Sequence, residues 1–234
     1  MRSKQVLLLA LLACVAAGAR GQAPDMAARV AALKANIAAN QQKLHKYQWI
    51  QTTKISVKGE VKQTQVASCN YQAGSPKPVC TEISSTPAEK PSGGPIKRKM
   101  IEGKIAEMKA TMDSVKTLIA MYVPPQPEKI EAARMAGNIA FAPDPSTGAM
   151  KIVLSNYAQK GDAYTLIVGD SSSMLRSATV ATWLNDPSRV VTLRVTFAKL
   201  ADGTRYASSR VLDVTAEQVQ VAITSTNYSI AAGN

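Results

Sequence analysis

The 234-residue chain is poor in the residues that carry most enzyme chemistry. It has one histidine, two phenylalanines and two tryptophans, and aromatic residues make up 5 % of it. Acidic residues number 16 against 28 lysines and arginines. The lone histidine, His45, cannot build a zinc site without other strong ligands. No placed nucleophile accompanies it, so it reads as a residue at the end of the first helix, a position whose dipole suits a cation. Gly-x-Ser-x-Gly, His-Glu-x-x-His and glycine-rich phosphate loops are absent. No pair of carboxylates has a spacing that sets it apart from surface charge. The few aromatics do not alternate with cations, which argues against a single-strand nucleic-acid binder. No later segment has the roughly 20 apolar residues that a membrane helix needs.

What is present begins with the first two dozen residues. Arg2 and Lys4 precede an apolar run from Val6 to Ala13, followed by small residues ending in Gly21-Gln22-Ala23. A basic start, a short greasy middle and a small-x-small site make a secretory signal. The expected organisation is a signal peptide over 1–23 and a single α+β domain over 24–234. Export to the periplasm removes nucleotide-driven chemistry. Leu11-Leu12-Ala13-Cys14 also resembles a bacterial lipobox, and that alternative makes Cys14 a lipid anchor. Ordinary cleavage and lipidation both remain open on the sequence.

Cys69 and Cys80 are the other two of three cysteines. An even pair in an oxidising compartment, separated by the turn signal Gly74-Ser75-Pro76, points to a disulfide. The formal net charge is +12, of which Arg2, Lys4 and Arg20 belong to the leader. Only Lys97-Arg98-Lys99 forms a cluster, and the rest reads as a solvated basic face that attracts anionic surfaces. Gly169-Asp170-Ser171-Ser172 is similar to the nucleophile block of GDSL-type esterases. That chemistry needs a downstream histidine and none follows, so the segment reads as a turn.

Periodicity orders the elements. Met26, Val30, Leu33, Ile37 and Leu44 follow helical spacing, with Asp25 as cap. Tyr47, Trp49, Ile55 and Val57 alternate as a strand. Lys58-Gly59-Glu60 turns into a second strand reaching Cys69, and a short third holds Cys80 and Ile83. Ser84 to Pro95 reads as a loop. Ile101, Ile105, Met108, Met112, Val115, Ile119 and Tyr122 then form one narrow stripe on a long helix. Pro124, Pro125 and Pro127 stop it, and a short helix follows from Glu128 to Met135. From Lys151 about six strands are expected, the clearest over Val191–Phe197, with Asp202-Gly203 favouring a hairpin. Their polar faces imply antiparallel pairing. The predicted fold is α+β, a curved antiparallel sheet forming an open half-barrel with helices packed across one side.

This element order, the helix-to-strand passage Lys46-Tyr47-Gln48-Trp49-Ile50-Gln51-Thr52-Thr53 and the closing segment Thr226-Asn227-Tyr228-Ser229 resemble the periplasmic lipoprotein-carrier superfamily, the LolA-like fold. The resemblance implies an unclosed barrel with a helical lid that holds acyl chains or other lipids. The expected function is therefore non-enzymatic binding of an apolar ligand, a lipid or acylated peptide, between sheet and helices. Trp49, Met108, Met112, Trp183, Val195 and Phe197 are the expected lining. Met108 and Met112 read first as core filling against the sheet, though methionine adapts to both roles. Lys97 and Arg98 are the expected rim cations for lipid headgroups. No cofactor or metal is implied, and no nucleic-acid partner. Two rivals stand beside this reading. One is an envelope adaptor that binds a protein or an anionic polymer through its basic face. The other is a hydrolase whose carboxylates meet only in the fold.

Overall fold

A computed structural model describes residues 26–72, 74–75, 77–86, 94–123, 125–144, 147–169 and 174–231. The expected signal peptide, Cys14 and most of the Gly169–Ser172 turn lie outside these residues. The elements in chain order are α1 (Met26–Leu44), β1 (Tyr47–Val57), β2 (Glu60–Tyr71), β3 (Pro78–Ser85), α2 (Pro95–Ile119) and α3 (Pro127–Met135). Then come β4 (Ile139–Pro143), β5 (Met150–Ser155), β6 (Ala163–Val168), β7 (Leu175–Trp183), β8 (Val190–Lys199), β9 (Arg205–Val214) and β10 (Val219–Ile230).

All ten strands lie in one sheet of order β3-β2-β1-β10-β9-β8-β7-β6-β5-β4. Every pairing is antiparallel. Two meanders therefore meet at one long-range seam, where β1 lies against β10 over the register Val57↔Val219 to Tyr47↔Ile230. The edges β3 and β4 do not pair, so the sheet stays open. The segment between them, α2 and α3, carries the chain from one edge to the other. Strand twist bends a sheet of this width, and register shifts in β1–β2, β2–β3, β6–β7 and β8–β9 add local bends.

Register explains which side is inside. One row runs Ile139, Leu154, Tyr164, Val180, Leu193, Leu212, Val221 and Ile55 across eight neighbouring strands. An adjacent row runs Thr182, Val191, Val214, Val219 and Val57. These side chains share the concave face because strand residues alternate sides. They form one core with Leu33 of α1, Val115 and Leu118 of α2, and Ile130 and Ala133 of α3. All three helices thus cover the same face. The opposite face carries Thr52, Thr165, Thr179, Thr192, Arg194 and Asp213, as polar alternation predicts.

The α+β half-barrel predicted from the pattern is the fold observed. One strand was not foreseen: β4 forms the far edge, a five-residue segment with Pro143 at its end. Helix α2 also begins earlier than the stripe suggested, with Pro95 in its first turn, where a missing N–H costs nothing. The β1–β2 hairpin turns on Lys58 and Gly59 at φ 53° and 82°. Two successive left-handed residues match the twist of the flanking strands, and glycine takes the second at no steric cost.

Candidate functional site

Helix α2 is about 37 Å long at 1.5 Å per residue, and its two halves differ. In the second half, Val115 is fully buried, Leu118 is 6 % exposed, and Tyr122 just beyond the helix is fully buried. In the first half the stripe is only partly covered: Ile105 is 55 % exposed and Ile101 is half-buried, while Ile96 at 87 % and Met100 at 59 % lie exposed beside the stripe. Exposed Arg98, Lys99, Lys104 and Lys109 accompany these apolar side chains. Met108 and Met112 sit between the two regimes, half-buried against the core.

The C-terminal end of α2 is fastened by a buried polar node. The Tyr122 hydroxyl donates to Asp162 Oδ2 at 2.6 Å and lies 2.8 Å from Thr182 Oγ1. Asp162, 2 % exposed, accepts the backbone N–H groups of Tyr157, Ala158 and Gln159 at 2.6, 2.8 and 2.9 Å. Gln159 Nε2 donates to Thr182 Oγ1 and to the Trp183 carbonyl at 2.6 and 2.9 Å. Burial, then the hydrogen bond to Asp162, pushes the Tyr122 hydroxyl well above the ordinary phenol range. Each oxygen of Asp162 is satisfied, so this carboxylate ties the loop after β5 to the end of α2. Gly161 lets the Trp183 ring approach: a Cβ there would sit 3.2 Å from it.

The sheet beneath the β1 end is built differently. Trp49, 3 % exposed, stacks on Tyr228 with ring centres 5.4 Å apart and packs on Tyr71 at 5.6 Å. Tyr206 lies 4.2 Å from Tyr228, and His45 stacks on Tyr71 at 4.2 Å. Asn40 of α1 clasps the Arg205 backbone in both directions, Nδ2 to the carbonyl at 2.8 Å and Oδ1 from the N–H at 2.6 Å. Cys69 and Cys80 stand opposite each other on β2 and β3 and are joined by a disulfide. Burial pushes the Tyr228 hydroxyl up to about 12.

The residues expected to line one space are distributed over three places. Met108, Met112, Val195 and Phe197 share the main core, with Val195 only 5 % exposed. Trp49 belongs to the separate aromatic cluster with Ala67 and Cys69. Trp183 borders a shallow hollow of about 390 Å³ with Leu118, Met121 and Leu184. A larger open hollow, about 700 Å³, lies on the polar face around Lys58, Thr192, Arg194, Asp213 and Gln220. There Arg194 pairs with Asp213, which also accepts from Gln220 at 2.8 Å. Of the rim cations, Arg98 is exposed in the first turn of α2. Lys97 shares that turn. Among the described residues no group of three or more His, Cys, Asp or Glu is placed to hold a metal. No described helix is long and apolar enough to cross a membrane.

Sequence reasoning missed the aromatic cluster and Arg210. This arginine lies in phase with Leu212 and Val214, on the parity of β9 that faces the core. A cation on an apolar parity was the available signal.

No family model matches the chain, and no curated protein matches it. Two solved structures do. One is a DUF1329 family protein from Desulfovibrio piger, at 9 % identity and TM-score 0.41, covering 89 % of this chain and 94 % of that one. The other is a LolA superfamily protein from Nitrosomonas europaea, at 7 % identity and TM-score 0.32, covering 84 % and 94 %. The second bears the superfamily name that the element order suggested. At these scores neither likeness carries an argument about ligand or activity.

Proposed function

We propose that this chain is an exported, non-enzymatic protein that holds an apolar ligand, a lipid chain or acylated peptide, between the concave face of its sheet and α2. The observation that supports this most is the partly uncovered first half of the α2 stripe, with exposed Ile96, Met100 and Ile105 on or beside it. A helix apolar along its inner face, yet fully buried only over its second half, leaves greasy surface for a guest. Burial of that surface drives binding at about 25 cal/mol per Å² before ordering costs. Met108, Met112 and Phe197, half-buried at the margin of the core, form the inner wall of this reading. Val195 backs that wall from the core, while Trp49 and Trp183 stand apart from it, and Lys97 and Arg98 attract headgroups at the rim. Cleavage after Ala23, and the periplasm as destination, belong to the same proposal, and the Cys69–Cys80 disulfide is compatible with it.

The test is native mass spectrometry of protein released gently from the envelope, paired with uptake of a fluorescent fatty acid. Adduct masses in the lipid range and saturable uptake are expected. Bare protein with no uptake would overturn the reading. The adaptor reading is favoured by one feature, the edge strand β3, all eight residues of which are exposed. It predicts a partner recovered at low salt and lost at high salt.

A further inference from the structure

The concave row that starts with Phe141, Ile152, Leu166, Ala178 and Val195 continues with Arg210, then Ile223. On the same strand, β9, the next two rows toward its C-terminal end carry Leu212 and Val214, while the row itself continues past Ile223 with Thr53 and Gln65. A guanidinium therefore stands on the core-facing side where this row passes from aliphatic to polar. It keeps its proton at any physiological pH, so the charge persists. Partial burial lowers its pKa below the ordinary guanidinium value. Among the described residues no carboxylate pairs with it and no acceptor bonds it. The groups that act on it across the face are the phenols of Tyr228 and Tyr71.

A second observation lies beside the first. The indole N–H of Trp49 is buried without an acceptor. Its ring stacks on Tyr228, the same residue that neighbours Arg210. The buried Trp49 N–H and the half-buried Arg210 guanidinium, neither with an acceptor among the described residues, thus lie about one tyrosine, on the face where a guest would lie. A buried donor is nearly always bonded, and the Trp49 exception calls for a reason.

We infer that Arg210, with Trp49 and Tyr228, forms a subsite for the anionic oxygen head of an amphiphile, a carboxylate or phosphate monoester. The hydrocarbon chain of that amphiphile runs along the apolar part of the same face. This rests on the apolar-ligand reading and narrows it to single-headed anionic lipids. Charge-assisted hydrogen bonds in a half-buried setting are strong and directional, so the head fixes which end of the guest enters.

The experiment uses the full secreted chain after delipidation, with dodecanoate, dodecyl phosphate, dodecanol, acetate and inorganic phosphate as calorimetric probes. The wild type is expected to bind the two anionic dodecyl probes at least about tenfold more tightly than dodecanol. Arg210→Met removes that ratio, leaves dodecanol within about twofold, and melts no lower without ligand, because an apolar residue of similar length suits the row. Should Arg210→Met fail to fold, Arg210→Gln gives the same ratio test, and Arg210→Lys restores part of the preference. A wild type that binds all three dodecyl probes alike overturns the head subsite and leaves the apolar carrier intact. A wild type that binds none of them overturns both. Acetate or phosphate bound as tightly as the dodecyl anions overturns the amphiphile. Equal loss for every probe with a lower melting point makes Arg210 a structural cation stacked on tyrosines, and overturns the subsite.

Discussion

The two ends of the sheet are built on opposite plans. From β4 to β8 the concave rows are mainly aliphatic and aromatic, and α2 and α3 close over them. From β9 onward one of those rows turns polar: Val195 gives way to Arg210, Ile223, Thr53 and Gln65. Beyond Ile55 the neighbouring row ends in Gln63. Burial follows the change. Leu154, Tyr164, Leu166 and Val180 are each 1 % exposed, whereas every residue of β3 is exposed. The first end holds itself together by apolar burial, at about 1.5–3 kcal/mol for each large side chain. The second relies on stacked rings, a disulfide and the Asn40 clasp. The sheet thus has one solidly packed end and one more lightly covered end.

The difference is broken most severely at the polar node of the solid end. Asp162→Ala strands three backbone N–H groups and leaves the Tyr122 hydroxyl with Thr182 alone. The expected loss is about 4–5 kcal/mol, with α2 detached from the β5–β6 loop. Urea unfolding followed by circular dichroism measures it, and a loss under about 1 kcal/mol would show that the node is not structural. Leu166→Ala, a truncation of a fully packed residue, costs about 3 kcal/mol by the same measurement. At the other end, reducing the Cys69–Cys80 bridge frees a short loop whose closure contributes about 2–3 kcal/mol. Its signature is local: amide exchange rises in β2 and β3 and is unchanged in β5 to β7. Uniform acceleration would mean that the two ends are not separable. Ile105→Ala, on the partly covered first half of the stripe, changes stability by less than about 0.5 kcal/mol while lowering fatty-acid uptake.

Much of the solid end is legible in the amino-acid sequence. Alternation in Val191–Phe197 and the three-four spacing of α2 are local patterns, and each follows from which face meets water. The edge strand β4 escapes because Ile139-Ala140-Phe141-Ala142-Pro143 offers only two large apolar side chains before a proline. The β1–β10 seam escapes because no local pattern encodes a pairing between the two ends of a chain. The aromatic cluster escapes for the same reason: His45, Trp49, Tyr71, Tyr206 and Tyr228 come from separate stretches of the chain. Chemical character groups Trp49 with Met108 and Phe197, since all are large and apolar. Register separates them, because Trp49 stands opposite Cys69 on the far side of the seam.

The gentlest probe of the comparison is alkaline titration. Tyr228, at the lightly covered end, has its hydroxyl pushed up to about 12, first by burial. Burial pushes Tyr164 higher still, and burial with the Asp162 bond does the same for Tyr122. A phenol whose pKa is raised on folding supports the fold below the unfolded value near 10. That support is lost as pH rises, because the unfolded chain releases its proton first. Phenolate absorbance should therefore show Tyr228 ionising near pH 12 in protein still folded, and Tyr228→Phe should delete that step. Tyr122 and Tyr164 should ionise only together with unfolding, since neither anion has water to receive it while the core is closed. If their absorbance rose before the circular dichroism changed, the solid end would already be open to solvent, and the contrast between the two plans would fail at its strongest point.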